Sequence, residues 1–196
     1  MNQPLNITAK RQEYNIGFLF RDTAQEYPTF PAIVTESTVI TYAQLLSVVI
    51  GFAKRFQALG VDRKSIVALN TGDTPISIAV LLATSLLGCR MVTASKILAK
   101  QDLLKPTHFF RTADAKGKSA LGFVEIDSNW LSGSDEDPFE AVDDFPGYDN
   151  PQDPWLILHT SGTTGRPKFI GLTHRQIADR TEAISDDFPV AQVTYT

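Results

Sequence analysis

The chain has 196 residues, 43% hydrophobic and 20% charged, a balance that suits one packed globular unit and excludes a disordered or fibrous chain. The net charge of −4 gives no basis for nucleic-acid or membrane-surface binding. The single cysteine, Cys89, excludes an internal disulfide, fits a reducing, cytoplasmic compartment, and reads as a small buried hydrophobe within an apolar stretch.

The first fourteen residues are polar and lack the apolar core of a signal peptide. Asn15 can cap a helix to about Tyr27, with Ile16, Leu19, Phe20 and Ala24 on one face and Pro28 as its stop. Pro31-Ala32-Ile33-Val34-Thr35 and Thr38-Val39-Ile40 predict a hairpin turned at Glu36-Ser37. Thr41 caps a long helix. Tyr42, Leu45, Leu46, Val49, Phe52, Ala53, Phe56 and Leu59 follow helical spacing, and Gly60 supplies the stop. A strand over 65–70 follows, then a turn at Thr71-Gly72-Asp73. Pro75 opens an apolar helix that runs to Leu87 and is closed by Gly88. The apolar stretch 76–88 is interrupted by Ser77, Thr84 and Ser85 and is too short to span a bilayer. Met91-Val92-Thr93 resumes a strand. This alternation predicts an α/β fold: a mixed β-sheet with flanking helices.

Farther on, residues 97–104 read as a short helix, and 107–111 and 121–126 as strands. Lys116-Gly117-Lys118 reads as a solvated basic turn. Residues 132–154 hold eight acids (Asp135, Glu136, Asp137, Glu140, Asp143, Asp144, Asp149, Asp153), four prolines and no Lys or Arg, so the rest of the chain carries a net charge of +4. Their spacing fits no EF-hand loop. The reading is a solvated acidic, Pro-rich connection. His108, His159 and His174 are scattered, and no His/Cys cluster suggests zinc, so no metal ligands are assigned. His159 reads as a packing residue, and His174 falls in the first turn of a last helix.

The connection leads into the most informative stretch, Thr160-Ser161-Gly162-Thr163-Thr164-Gly165-Arg166-Pro167-Lys168. The apolar runs Trp155-Leu156-Ile157-Leu158 and Phe169-Ile170-Gly171-Leu172 flank it and predict two strands joined by a loop. Glycines let backbone N–H groups turn toward a ligand, successive N–H groups form an anion-binding concavity, and hydroxyls and a lysine add donors and charge. These residues suit a polyphosphate. An ordinary polar hairpin loop is the alternative on composition alone. A Walker A loop is excluded because Pro167 stands five residues after Gly162, and a G-x-G-x-x-G turn is excluded because the first glycine pair is missing.

The string ILHTSGTTGRPK, residues 157–168, resembles the signature of the AMP-forming adenylate synthetases: acyl-CoA synthetases, nonribosomal peptide synthetase adenylation domains and luciferases. Thr173-His174 fits the pair such proteins carry at the next helix start. Phe169 departs from their usual small residue. The run from Thr41 to Gly88 is similar to their N-terminal region, so the resemblance covers most of 38–93 and 154–177.

The resemblance implies that residues 1–196 are the N-terminal part of an AMP-binding (adenylation) domain, a partial N-terminal subdomain of an adenylate-forming enzyme. It implies ATP-dependent activation of a carboxylate to acyl-AMP and pyrophosphate, followed by transfer to a thiol, either CoA or carrier-protein phosphopantetheine. Thr160, Ser161, Gly162, Thr163, Thr164, Gly165 and Lys168 would hold the ATP phosphates with Mg²⁺ as bridging cation. The catalytic residues of such enzymes lie downstream of this motif, so none is assigned here, and 1–196 alone is expected to be inactive. A truncated, non-catalytic homologue that binds nucleotide or protein is the rival expectation.

Overall fold

The computed structural model describes residues 13–36, 38–93, 104–115, 122–160 and 168–187. A hairpin of β1 (Pro31–Val34) and β2 (Val39–Thr41) stands apart from the main sheet. That sheet contains β3 (Ile66–Asn70), β4 (Arg90–Thr93), β5 (His108–Thr112), β6 (Val124–Ile126), β7 (Pro154–Thr160) and β8 (Lys168–Thr173). Their order is β6-β5-β3-β4-β7-β8; the first five run parallel, and β8 pairs antiparallel with β7 at one edge. The expected mixed sheet is present.

The helices begin and end where the chain supplies caps. In α1 (Ile16–Glu26) the Asn15 side chain accepts from the Gly17 and Phe18 N–H groups. In α2 (Tyr42–Ala58) Thr41 and Gln44 form a reciprocal capping box. In α3 (Thr74–Leu87) Asp73 accepts from the Ile76 N–H, and Gly88 closes the helix in the left-handed region at φ 67°. A short α4 (Pro138–Ala141) and a terminal α5 (His174–Asp187) complete the set among the described residues. None of these helices is long and apolar enough to cross a membrane.

Val67, Leu69, Met91, Phe110 and Ile126 face α2 and α3, packing with Val49, Phe52, Phe56, Ala79, Val80 and Ala83. The intervening residues Ile66, Ala68, Val92 and Ile157 form a second cluster with Leu104, Phe109 and Phe169. Both faces of β3 are therefore buried, which is why it reads as an unbroken apolar run.

Some expectations shift. The helix expected over 97–104 falls mainly on residues outside those described, and Leu104 itself stands in no helix. The strand expected to start at Leu121 begins at Val124. Leu19 and Leu59, placed on the apolar faces of their helices, are exposed. The acidic connection is folded rather than simply solvated. Its eight carboxylates are exposed as expected, yet α4 and a 3-10 turn (Val142–Asp144) bury Ala141, Val142, Phe145 and Tyr148. Ion pairs Lys54–Glu136, Arg21–Asp143 and Arg63–Asp149 fasten it to the helices and to the approach to β3. Arg63 also donates to the carbonyls of Pro146 (2.7 Å) and Gly147 (3.0 Å).

Candidate nucleotide-phosphate site

Five parallel strands end on one edge of the sheet, at Asn70, Thr93, Thr112, Ile126 and Thr160, and antiparallel β8 starts there at Lys168. After β4 the chain returns across β3 to build β5, whereas after β7 it moves outward to β8. Between β4 and β7 the direction of winding therefore reverses. In open α/β sheets, ligands bind in the crevice outside the carboxyl ends of the strands at such a reversal.

The connection from β7 to β8 stands at this reversal. Thr160 and Lys168, its two ends, are directly opposite one another in the antiparallel register. Ser161, Gly162, Thr163, Thr164 and Gly165 lie outside the described residues, so the structure places the ends of the expected loop and not its interior. Lys168 is exposed and makes no ion pair with a described residue.

The same edge gathers residues that the sequence gives only as turn or strand ends. The Thr112 hydroxyl donates to Thr71 Oγ1 at 3.0 Å, and the Asp73 N–H donates to the same oxygen at 2.9 Å. The Asp73 carboxylate accepts from the Ile76 N–H at 2.9 Å, so it is engaged as the α3 cap rather than free as a base. Strand ends gather here because parallel pairing places Asn70 opposite Arg111, and that pairing has no local sequence signal. Among the described residues, no group of three or more His, Cys, Asp and Glu side chains could hold a metal.

Toward its far end the hairpin is held, among the described residues, by its own pairing and by Phe169 in the second apolar cluster. β7 pairs with β4 only at Leu156 and Ile157 among the described residues, while Leu158, His159 and Thr160 pair with Ile170, Phe169 and Lys168. Leu158 and Ile170 face each other and remain 38% and 47% exposed. The base is packed closely. Trp155 is buried and its indole N–H donates to Thr84 Oγ1 at 3.3 Å. His174, the first residue of α5, stacks on Trp155 with ring centroids 5.1 Å apart, and its burial pushes the imidazole pKa down to about 4. His159 is half-buried. Cys89 is buried and its thiol is pushed up to about 12 by desolvation, the inert role its sequence context suggests.

Known proteins agree with this architecture. The AMP-binding enzyme family matches residues 20–195. Malpinin synthetase of Mortierella alpina is 29% identical over 201 residues, which cover 95% of this chain and 2% of that protein. The 4-chlorobenzoate–CoA ligase of an Arthrobacter species is 29% identical over 160 residues, covering 72% of this chain and 29% of the ligase. The chain thus spans less than a third of the curated relatives it matches here. The Klebsiella oxytoca NpsA N-terminal subdomain, solved in complex with 3-hydroxybenzoyl-AMSN, superposes with a TM-score of 0.66 at 22% identity, covering 82% of this chain and 41% of that one. With the family model matched over most of its length, this chain belongs to the AMP-binding enzyme family.

Proposed function

We propose that residues 1–196 form the N-terminal part of an adenylation domain that activates a carboxylic acid with ATP, and that the 160–168 connection holds the β- and γ-phosphates. The observation that carries this reading is the hairpin itself, with Thr160 and Lys168 facing each other at the carboxyl edge, beside the β4/β7 reversal. A carboxylate oxygen forms a bond to the α-phosphorus while the bond from that phosphorus to the bridging oxygen breaks. The electron pair leaves with pyrophosphate. Negative charge builds on the leaving group, and Lys168 together with backbone N–H groups of the connection stabilises it there. Preorganised donors aimed at developing charge are among the largest contributors to such catalysis.

The described residues offer no metal cage of their own, so Mg²⁺ would come with the nucleotide and would supply further neutralisation of phosphate charge beside Lys168. The acyl-adenylate then passes to a thiol, CoA or a carrier-protein phosphopantetheine, the two acceptors that suit ligase-type and synthetase-type relatives. The test is carboxylate-dependent exchange of labelled pyrophosphate into ATP by the full-length protein that contains this chain, across a panel of aliphatic, aromatic and amino acids. Exchange with one class of acid supports the reading. Nucleotide binding without exchange for any acid would instead fit a non-catalytic homologue.

A further inference from the structure

We propose that His174 is a positioning residue for the phosphate-holding connection: with Trp155 and Tyr148 it clamps the base of the β7–β8 hairpin and so fixes where the far end stands. The inference rests on the adenylation reading above. His174 is 2% exposed. One face of its ring lies nearly parallel to Trp155, at 10°, and Tyr148 approaches at 4.7 Å and 44°. Its Nδ1 is buried without a hydrogen-bond partner. The site therefore uses the flat ring surface, and that nitrogen contributes no bond.

The three rings join four parts of the chain at one point. Trp155 belongs to β7 and is bonded to α3 through Thr84. Tyr148 belongs to the folded acidic segment, and its hydroxyl accepts from the Tyr14 N–H at 3.2 Å. His174 follows β8 directly. Its neighbours are fixed as well: the Thr173 N–H donates to Gln176 Oε1, the Gln176 N–H donates to Thr173 Oγ1, and the Arg175 N–H donates to the Pro151 carbonyl at 3.0 Å. The charged side chain beside the clamp, Arg175, is engaged with the Tyr14 ring at 4.9 Å and with Asp179 at 3.6 Å.

The hairpin is a lever. A tilt of about 5° at the base moves the far end by about 1.5 Å over the roughly 17 Å that five strand residues span. Displacing a reacting group by about 1 Å costs on the order of a hundredfold in rate. On one face Leu158 and Ile170 are exposed, and on the other Phe169 joins the second apolar cluster; the aromatic clamp adds the fixed point at the base.

The experiment compares His174→Ala, His174→Phe and Lys168→Ala in the full-length protein containing this chain. It measures ATP–pyrophosphate exchange, thiol transfer from a supplied acyl-adenylate, and amide hydrogen exchange in β7–β8 and in β3. His174→Ala should lower exchange activity about ten- to a hundredfold and raise the KM for ATP. It should speed hydrogen exchange at 158–160 and 168–170 while β3 stays protected. Thiol transfer should change little. Phenylalanine keeps a neutral ring in the stack, and His174→Phe should restore both activity and protection. The proposal is overturned if alanine leaves the hairpin as protected as before, if β3 loosens equally, or if phenylalanine fails to rescue. Activity lost in Lys168→Ala but kept in His174→Ala would end the clamp inference and spare the adenylation reading. A wild-type protein that exchanges no acid, yet whose hairpin alone loosens in His174→Ala and recovers in His174→Phe, would end the adenylation reading and keep the clamp.

Discussion

Gly88→Ala should be among the most damaging single-methyl additions in this chain. Gly88 closes α3 at φ 67°, and a Cβ there would stand 1.9 Å from the Gly147 carbonyl oxygen and 2.6 Å from its carbon. Both obstacles are backbone and cannot rotate away. The Gly147 N–H donates to the Leu86 carbonyl at 2.8 Å, and its carbonyl accepts from Arg63. Admitting the methyl group means lifting residues 146–148 off the end of α3. Left-handed strain costs about 1–2 kcal/mol, overpacking about 1–3 and a lost backbone hydrogen bond about 1, so the loss is roughly 3–6 kcal/mol. Gly60 is the internal control: its φ is 84°, but nothing lies within 4 Å of its added Cβ. Gly60→Ala should cost only the strain, about 1–2 kcal/mol. At about 2–4 °C per kcal/mol for a chain of this size, the Tm should fall by roughly 6–24 °C for Gly88→Ala and 2–8 °C for Gly60→Ala. Urea unfolding followed by tryptophan fluorescence gives the same comparison in free energy. Equal losses at the two sites would refute the claim that residues 146–148 are docked on the end of α3.

Other outcomes follow from the same contacts. His174 has its pKa lowered from 6.5 to about 4 by burial, so between those values the unfolded chain binds more protons than the folded one. Stability is full above about pH 6.5 and falls as the pH drops toward 4, by about 2 kcal/mol between pH 8 and 5; His174→Phe should remove that slope, and an unchanged slope in urea titrations would contradict it. Cys89 should react with an aromatic disulfide reagent at pH 8 only at the rate of unfolding, since its thiol is buried and pushed up to about 12; rapid labelling of the folded protein would contradict this. Arg63→Ala should destabilise by about 1–3 kcal/mol, and Arg63→Lys should recover less than half, because one ammonium cannot reach two carbonyls and a carboxylate in the fork geometry of a guanidinium. Full rescue by lysine, read as the midpoint of urea unfolding, would mean that charge alone matters.

Local rules made the frame of this fold legible in the sequence. Asn15, Thr41 and Gly88 stand at the helix ends they were expected to mark, because a cap is a short-range device, and Asp73, expected only as a turn residue, proves to be a cap as well. Long-range covering was not legible. Val48, Ile50 and Gly51 lie off the apolar stripe of α2, yet all are buried. A segment some eighty residues away lies against this helix: Gly133 backs onto Gly51, Trp130 packs on Phe52 at 5.2 Å, and Ser47 exchanges hydrogen bonds with Ser134. The same pairing explains the acidic segment. Its charge pattern speaks only of its wet side, while Ala141, Val142, Phe145 and Tyr148 bind it to the core. At the candidate site, a glycine- and hydroxyl-rich run between two apolar stretches was enough to foresee a loop between strands. Its place beside the β4/β7 reversal depends on strand order, which non-local pairing sets.

In the proposed reaction the 160–168 connection serves phosphate during carboxylate activation. Lys168→Ala in the full-length protein, assayed in each half-reaction separately, tests it most directly. Lys168 is exposed at the start of β8, so its removal should leave the Tm nearly unchanged. Carboxylate-dependent ATP–pyrophosphate exchange should fall roughly ten- to a thousandfold, mainly in kcat, as expected for one charged group acting on the leaving pyrophosphate. Thiol attack on a supplied acyl-adenylate should be nearly unaffected, because no pyrophosphate is then present. Undiminished exchange, or an equal loss in both half-reactions, would contradict a phosphate-holding role for this lysine.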